Sequence, residues 1–227
     1  MKLHKFSQFK NNASRFHTII SILTKYGLAN WIKKEDPTFL KGLVINSQGD
    51  SLAGLSVEVR LRMAFTELGT TFIKLGQILS TRADIVGPEI ATELCKLQSD
   101  TPIDSPAQVT QMIESTLGES INTLFAEFDF SPLGSASIGQ VHKAKLHDGT
   151  EVVVKVQHSD IEDKIKADIE ILALLANLSE KYDNELRLYQ PKSLIEDFSN
   201  SLLKELDYGK ELRNMNVFAQ NFADNSD

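Results

Sequence analysis

Three stretches of this sequence combine residue types and spacings able to do chemistry. Gly134-Ser135-Ala136-Ser137-Ile138-Gly139-Gln140-Val141 follows the pattern G-x-G-x-x-G-x-V, with Ala136 in place of the second glycine. Glycines in such a turn let backbone N–H groups come close to phosphate oxygens that side chains would keep away. Gly/Ser turns joining two strands are also common, so the run is weak evidence taken alone. Val152-Val153-Val154-Lys155 then sets a lone lysine in a β-branched run. A lysine there can hold the α and β phosphates of a nucleotide; the plain alternative is an edge-strand lysine in solvent. Such a lysine needs a carboxylate to hold it extended, and Glu205, Asp207 and Glu211 are candidates, with Asp207, Glu211 and Asn214 spaced by four and three onto one helical face. The competing reading is a solvated acidic surface. The single cysteine, Cys95, rules out an internal disulfide or a multi-cysteine metal site, and is expected to be a buried structural thiol in a reducing compartment.

The elements that must position these residues follow from periodicity. Residues 14 to 34 read as a helix, followed by a connector from Asp36 to about Leu55 with no chemical signal. Apolar residues recur every three or four positions from Val57 to Arg82, which predicts one strong helix. Pro88 opens a short helix, and another ends near Leu117-Gly118. Phe125 to Phe130, Ile138 to Leu146 and Glu151 to Gln157 have strand character. Asp148-Gly149 predicts a tight hairpin with positive φ at both central residues. Helices return over Ile161 to Tyr182 and Lys192 to Phe222. The fold class is therefore α+β: helices, a small antiparallel sheet, then helices.

The loop, the strand lysine and their hairpin connection resemble the nucleotide-binding strands of protein kinases. With Lys74-Leu75-Gly76-Gln77 matching K-x-G-Q and Glu205-Leu206-Asp207 matching E-x-D, the sequence resembles the UbiB/AarF family of atypical kinases from roughly Leu55 to Asn221. That resemblance implies a kinase-like N-lobe preceded by a helical extension. It divides the chain into a basic head and connector (1–54), an extension carrying K-x-G-Q (55–122) and a truncated N-lobe (123–227). It implies that Lys74 and Gln77 sit over the nucleotide and approach Glu205 and Asp207, and that Lys155 pairs with Glu211. Gly134, Ser135, Ala136, Ser137, Gly139, Val141 and Lys155 would contact ATP or ADP with magnesium. Without the family, Lys74 reads as an ordinary surface lysine. The loop departs from the family's usual Ala-Ala-Ala-Ser at Gly134 and Ser135, which leaves ATP against ADP open. The function implied is support of isoprenoid-quinone (ubiquinone) or related lipid metabolism.

No catalytic-loop aspartate and asparagine and no metal-binding Asp-Phe-Gly follow Lys155, and Asp197-Phe198-Ser199 lies within a predicted helix. The C-lobe and the magnesium ligands are thus absent from this sequence, and the chain alone is not expected to transfer phosphate. The alternative function is a non-catalytic truncated module that binds a membrane surface or a protein. With 227 residues and 41% hydrophobic content, the chain can bury a substantial core. Residues 1 to 34 hold seven of the 24 Lys and Arg and no acid, which leaves 17 bases against 31 acids elsewhere. That acidic body argues against nucleic-acid binding. The basic head suits an anionic membrane surface or isoprenoid lipid, a solvated first helix or an organelle leader. No apolar run is long enough to span a bilayer. The expected location is cytoplasmic with peripheral membrane contact, organelle targeting being the alternative.

Overall fold

The structure is a computed structural model that describes residues 2–28, 52–98, 103–182 and 187–223. It divides into two units, Met1–Leu175 and Ala176–Asp227. The first begins with helix α1 (Lys2–Lys25), which starts earlier than the sequence suggests and ends in a turn at Tyr26-Gly27. The rest of the expected first helix and most of the connector lie outside the described residues, which resume with a 3-10 turn at Leu52–Gly54. Tyr26, Leu28, Leu52 and Ala64 form a small core, with Ile22, Leu23 and Leu61 packed on it.

The long helix expected over 57–82 is two helices, α2 (Val57–Leu68) and α3 (Thr70–Ser80). The break is Gly69, at φ 92° and ψ −161°, a conformation that L side chains rarely adopt. The Phe72 N–H, which would extend α2 by bonding the Leu68 carbonyl, bonds the Gly69 carbonyl instead (3.0 Å). The orphaned Leu68 carbonyl accepts from Arg15 Nη2 at 2.7 Å. Short helices α4 (Ala83–Val86) and α5 (Pro88–Leu94) follow, the first not anticipated and the second opening at Pro88 as expected. Cys95, directly after α5, is exposed, which corrects the expectation of a buried thiol. Helix α6 (Pro106–Leu117) starts with a capping box between Ser105 and Gln108 and stops at Gly118 (φ 78°, ψ 5°); α7 (Ile121–Leu124) leads into the sheet.

Four strands form one antiparallel sheet: β1 (Glu127–Phe128), β2 (Gly134–Ser135), β3 (Gly139–Lys145) and β4 (Glu151–Gln157). Strand β3 pairs with β4 along its whole length, and its other edge is shared by β1 and β2. Side chains alternate across the sheet. Ala144 and Val156 join Val109, Ile113, Ile121 and Phe125 in a core beneath it. Val141, Lys143, Val153 and Lys155 occupy the opposite face. The β3–β4 hairpin differs from the expected tight turn. Only Gly149 has positive φ (90°), Leu146 accepts from its N–H (2.9 Å), and Asp148 Oδ1 caps the Thr150 N–H (2.9 Å). One extra residue is accommodated by a glycine bulge, so Asp148 keeps an ordinary conformation.

Helix α8 (Ile161–Tyr182) matches its expected range, and its first part buries Ile161, Ile165, Asp168, Ile171 and Leu172. In the second unit, the helix expected over 192–222 is again two: α9 (Pro191–Glu205), with Ile195, Phe198 and Leu202 buried, and α10 (Tyr208–Asn221). Asp197-Phe198-Ser199 is helical, as the sequence suggested. Among the described residues no helix is long and apolar enough to cross a membrane.

Arg15 holds the first unit together. Its Nε reaches Asp168 Oδ1 at 2.6 Å and its Nη2 reaches Oδ2 at 3.0 Å, with Asp168 fully buried on α8. This basic residue of the head therefore faces inward, not onto a membrane. Arg15→Met should cost about 3–5 kcal/mol in urea unfolding, because it strands a buried carboxylate, and adding Asp168→Leu should recover most of that loss. A single-variant loss below about 1 kcal/mol would contradict this role.

Candidate functional site

The sheet face opposite the core gathers the residues singled out around the loop. Val141 on β3 lies directly across from Gly134 on β2 and from Lys155 on β4. Antiparallel register thus sets loop, valine and lysine in one row, with the Val141 and Lys155 Cβ atoms about 5 Å apart. Lys155 is exposed, and Val153, two positions earlier on the same face, is 67% exposed, so the face carries an apolar side chain as well as the lysine. An open groove of about 620 Å³ at the other end of this sheet, lined by Phe128, Lys143, Lys145 and Val153 among others, contains neither Lys155 nor the loop.

The loop is tied down from behind. The Ala136 N–H bonds the Gly139 carbonyl across the turn (2.9 Å). The Thr70 hydroxyl donates to the Ser137 carbonyl at 2.8 Å, and His158 Nε2 donates to the Ala136 carbonyl at 2.9 Å. Ser135 Oγ lies 3.4 Å from the same imidazole nitrogen. The other nitrogen of His158 faces Asp104 Oδ2 at 3.3 Å, and that oxygen accepts the Ser159 N–H (3.1 Å). Behind β3, Gln140 Oε1 accepts the Asp104 N–H (2.9 Å) and Gln140 Nε2 donates to His142 Nε2 (2.9 Å). His142 Nδ1 then donates to the Asp129 carbonyl (2.8 Å), which requires the neutral tautomer protonated on Nδ1. Sequence reasoning missed Thr70, Asp104, His142 and His158, since none lies in a recognisable motif.

Glycine has different reasons at the two motifs. At Gly134 the backbone φ is not positive and a Cβ would meet nothing of the chain within 4 Å, so neither the turn nor the packing calls for glycine there. At Gly76, in α3, a Cβ would overlap Leu97 Cδ1 and come within 2.9 Å of Phe65 Cδ2. Gln77 Nε2 donates to the Leu97 carbonyl (3.3 Å), so the motif's glycine and glutamine both seat the chain after α5. Lys74, half-buried, lies on the same helix.

Glu205, Asp207 and Glu211 belong to the second unit. Glu205 ends α9. Asp207 is not part of a continuous helical face with Glu211 and Asn214, as the sequence suggested. It is the N-cap of α10, accepting the Lys210 N–H (3.0 Å) and pairing with Arg213 Nη2 (3.2 Å). Glu211 is in the first turn of α10, where a carboxylate is favoured by the helix dipole. The Tyr208 hydroxyl between them is pushed up to about 12, first by burial and then by the Glu211 charge.

Residues 96–227 match the model of the ABC1 atypical kinase-like domain. A protein of Pseudomonas aeruginosa named "Probable protein kinase UbiB" is 43% identical over 72% of this chain and 31% of its own length. One of the same name from Aeromonas hydrophila is 37% identical over 92% of this chain and 39% of its own. The chain thus spans about a third of the length of the curated relatives it matches. A Mycobacterium tuberculosis protein solved in complex with erythromycin aligns at TM-score 0.46 and 27% identity, over 67% of this chain and 38% of that one.

Two expectations follow from the local geometry. Gly76→Ala should lose about 1–3 kcal/mol to overpacking, more than the roughly 1 kcal/mol alanine returns in a helix, while Gly134→Ala should stay within about 0.5 kcal/mol. Equal urea midpoints for the two variants would refute the packing account. Tyr208 holds its proton more tightly folded than unfolded, so its contribution is complete below pH 10 and is lost as pH rises from 10 towards 12. Tyr208→Phe should flatten stability against pH in that window; an unchanged slope would remove Tyr208 as its source.

Proposed function

Because this chain belongs to the ABC1 atypical kinase-like family, we propose that it forms the nucleotide-binding sheet of a kinase-like protein that serves isoprenoid-quinone (ubiquinone) or related lipid metabolism. The nucleotide is ATP or ADP, carried on the face that bears Gly134, Val141, Val153 and Lys155. The observation that carries the reading is the cross-strand row Gly134–Val141–Lys155, which brings the loop and the lysine into register on either side of β3. Val141 and Val153 offer the base an apolar surface, and Lys155 offers the phosphates a point charge. Among the described residues no group of three or more His, Cys, Asp or Glu could hold a metal ion. Magnesium would enter with the nucleotide and offset its phosphate charge. Lys74, Gln77, Glu205, Asp207 and Glu211 enter this proposal through the roles their motifs imply.

Ligand-induced stabilisation tests the nucleotide. At roughly a hundredfold excess over Kd, Mg-ATP or ADP should add about 2.7 kcal/mol and raise Tm by about 5–10 °C, and Lys155→Ala should remove the shift. No shift with either nucleotide would sink the reading for this chain. The metabolic assignment is tested by deleting the encoding gene and measuring isoprenoid quinones by mass spectrometry: a fall supports it and unchanged content overturns it.

A further inference from the structure

Three consecutive carbonyls of the 134–141 loop are held from behind. Ala136 O accepts the His158 side chain (2.9 Å), Ser137 O accepts the Thr70 hydroxyl in a buried bond (2.8 Å), and Ile138 O accepts the His158 backbone N–H (2.9 Å). Among the described residues no peptide bond is cis, so in each of these units the N–H points opposite to the C=O. Holding Ala136 O and Ser137 O therefore turns the N–H groups of Ser137 and Ile138 away from those two side chains. Among the described residues, neither N–H donates to an acceptor of the chain. The residues are only 7% and 6% exposed, and buried amides without an acceptor are rare in proteins. Adjacent backbone N–H groups in a turn can bind one anion together.

We propose that Thr70 and His158 are positioning residues that preset the Ser137 and Ile138 amides for a phosphate of the nucleotide. The inference rests on the nucleotide reading above and adds to it a physical link between motifs. Thr70 opens the helix that carries Lys74 and Gln77, and His158 follows the strand that carries Lys155. Each latch is therefore built into an element that also delivers a lysine, so loop and lysines are placed by the same two pieces of backbone. His158 must carry a proton on Nε2 to donate to Ala136, while its buried Nδ1, 3.3 Å from Asp104 Oδ2, makes no hydrogen bond.

Calorimetric titration of the 227-residue chain with ADP and with adenosine tests this, because the latches act only on the phosphates. Thr70→Val should weaken ADP binding about tenfold, the worth of a hydrogen bond to a charged group. It should leave adenosine within about twofold, and Thr70→Ser should restore ADP binding. His158→Phe should act in the same direction and carries the comparison if Thr70→Val does not fold. Equal weakening of ADP and adenosine would mean that the latches only support the fold, and unchanged ADP affinity in the variants would likewise overturn the proposal. A wild-type chain that binds no ADP would fail the nucleotide reading itself, and this inference with it.

Discussion

A carboxylate with no exposure to water is costly to bury unless donors close on both of its oxygens, and in this chain Arg15 does so for Asp168. The guanidinium bonds both carboxylate oxygens through Nε and Nη2, and Nη2 gives its second N–H to the Leu68 carbonyl. That single side chain therefore joins α1, the end of α2 and α8. Its third bond has a local reason: the carbonyl is available because Gly69 turns the backbone out of the helix. Immediately after the turn comes Thr70, whose hydroxyl fixes the loop. The geometry of the loop thus depends on a chain of neighbours that begins at the first helix. Lys164, close by, feels the same surroundings, its amine pushed down first by burial and then by the Arg15 charge.

Strand β3 separates two kinds of chemistry. On its inner side, Gln140 and His142 form a buried polar run between the Asp104 amide and the Asp129 carbonyl, with the imidazole stacked on Phe128 at 5.2 Å. Every contact in that run is matched donor to acceptor, which lets polar groups lie beside an apolar core without a desolvation penalty left open. On its outer side the same strand carries Val141 and Lys143. A register slip of one residue would exchange the two faces, so the buried run fixes which side of the sheet faces outward.

Much of this was readable in the sequence because it is encoded locally. Pro106 with Gly118, Pro88 and the apolar period of α8 mark helix ends and faces without help from distant residues. The β-branched run of 151–157 does the same for β4. The break at Gly69 was hidden because one glycine in a strongly periodic apolar stretch is usually tolerated within a helix. Asp207 was hidden for a related reason: a capping aspartate in an acidic tract looks like surface. The two loop latches could not be read at all, since they join residues 67 and 22 positions apart and neither type nor neighbours announce them. The motif glycines also exchanged significance: Gly134, in the phosphate pattern, has free space around it, whereas Gly76 is wedged between Phe65 and Leu97.

Cys95 is the only cysteine in the chain and lies on its surface two residues before Leu97. Leu97 covers Gly76 with its side chain and holds Gln77 with its carbonyl. A nitroxide or fluorophore attached through that thiol would sit close to the K-x-G-Q helix. The native sequence thus provides a spectroscopic vantage point on this helix without the removal of any competing sulfhydryl.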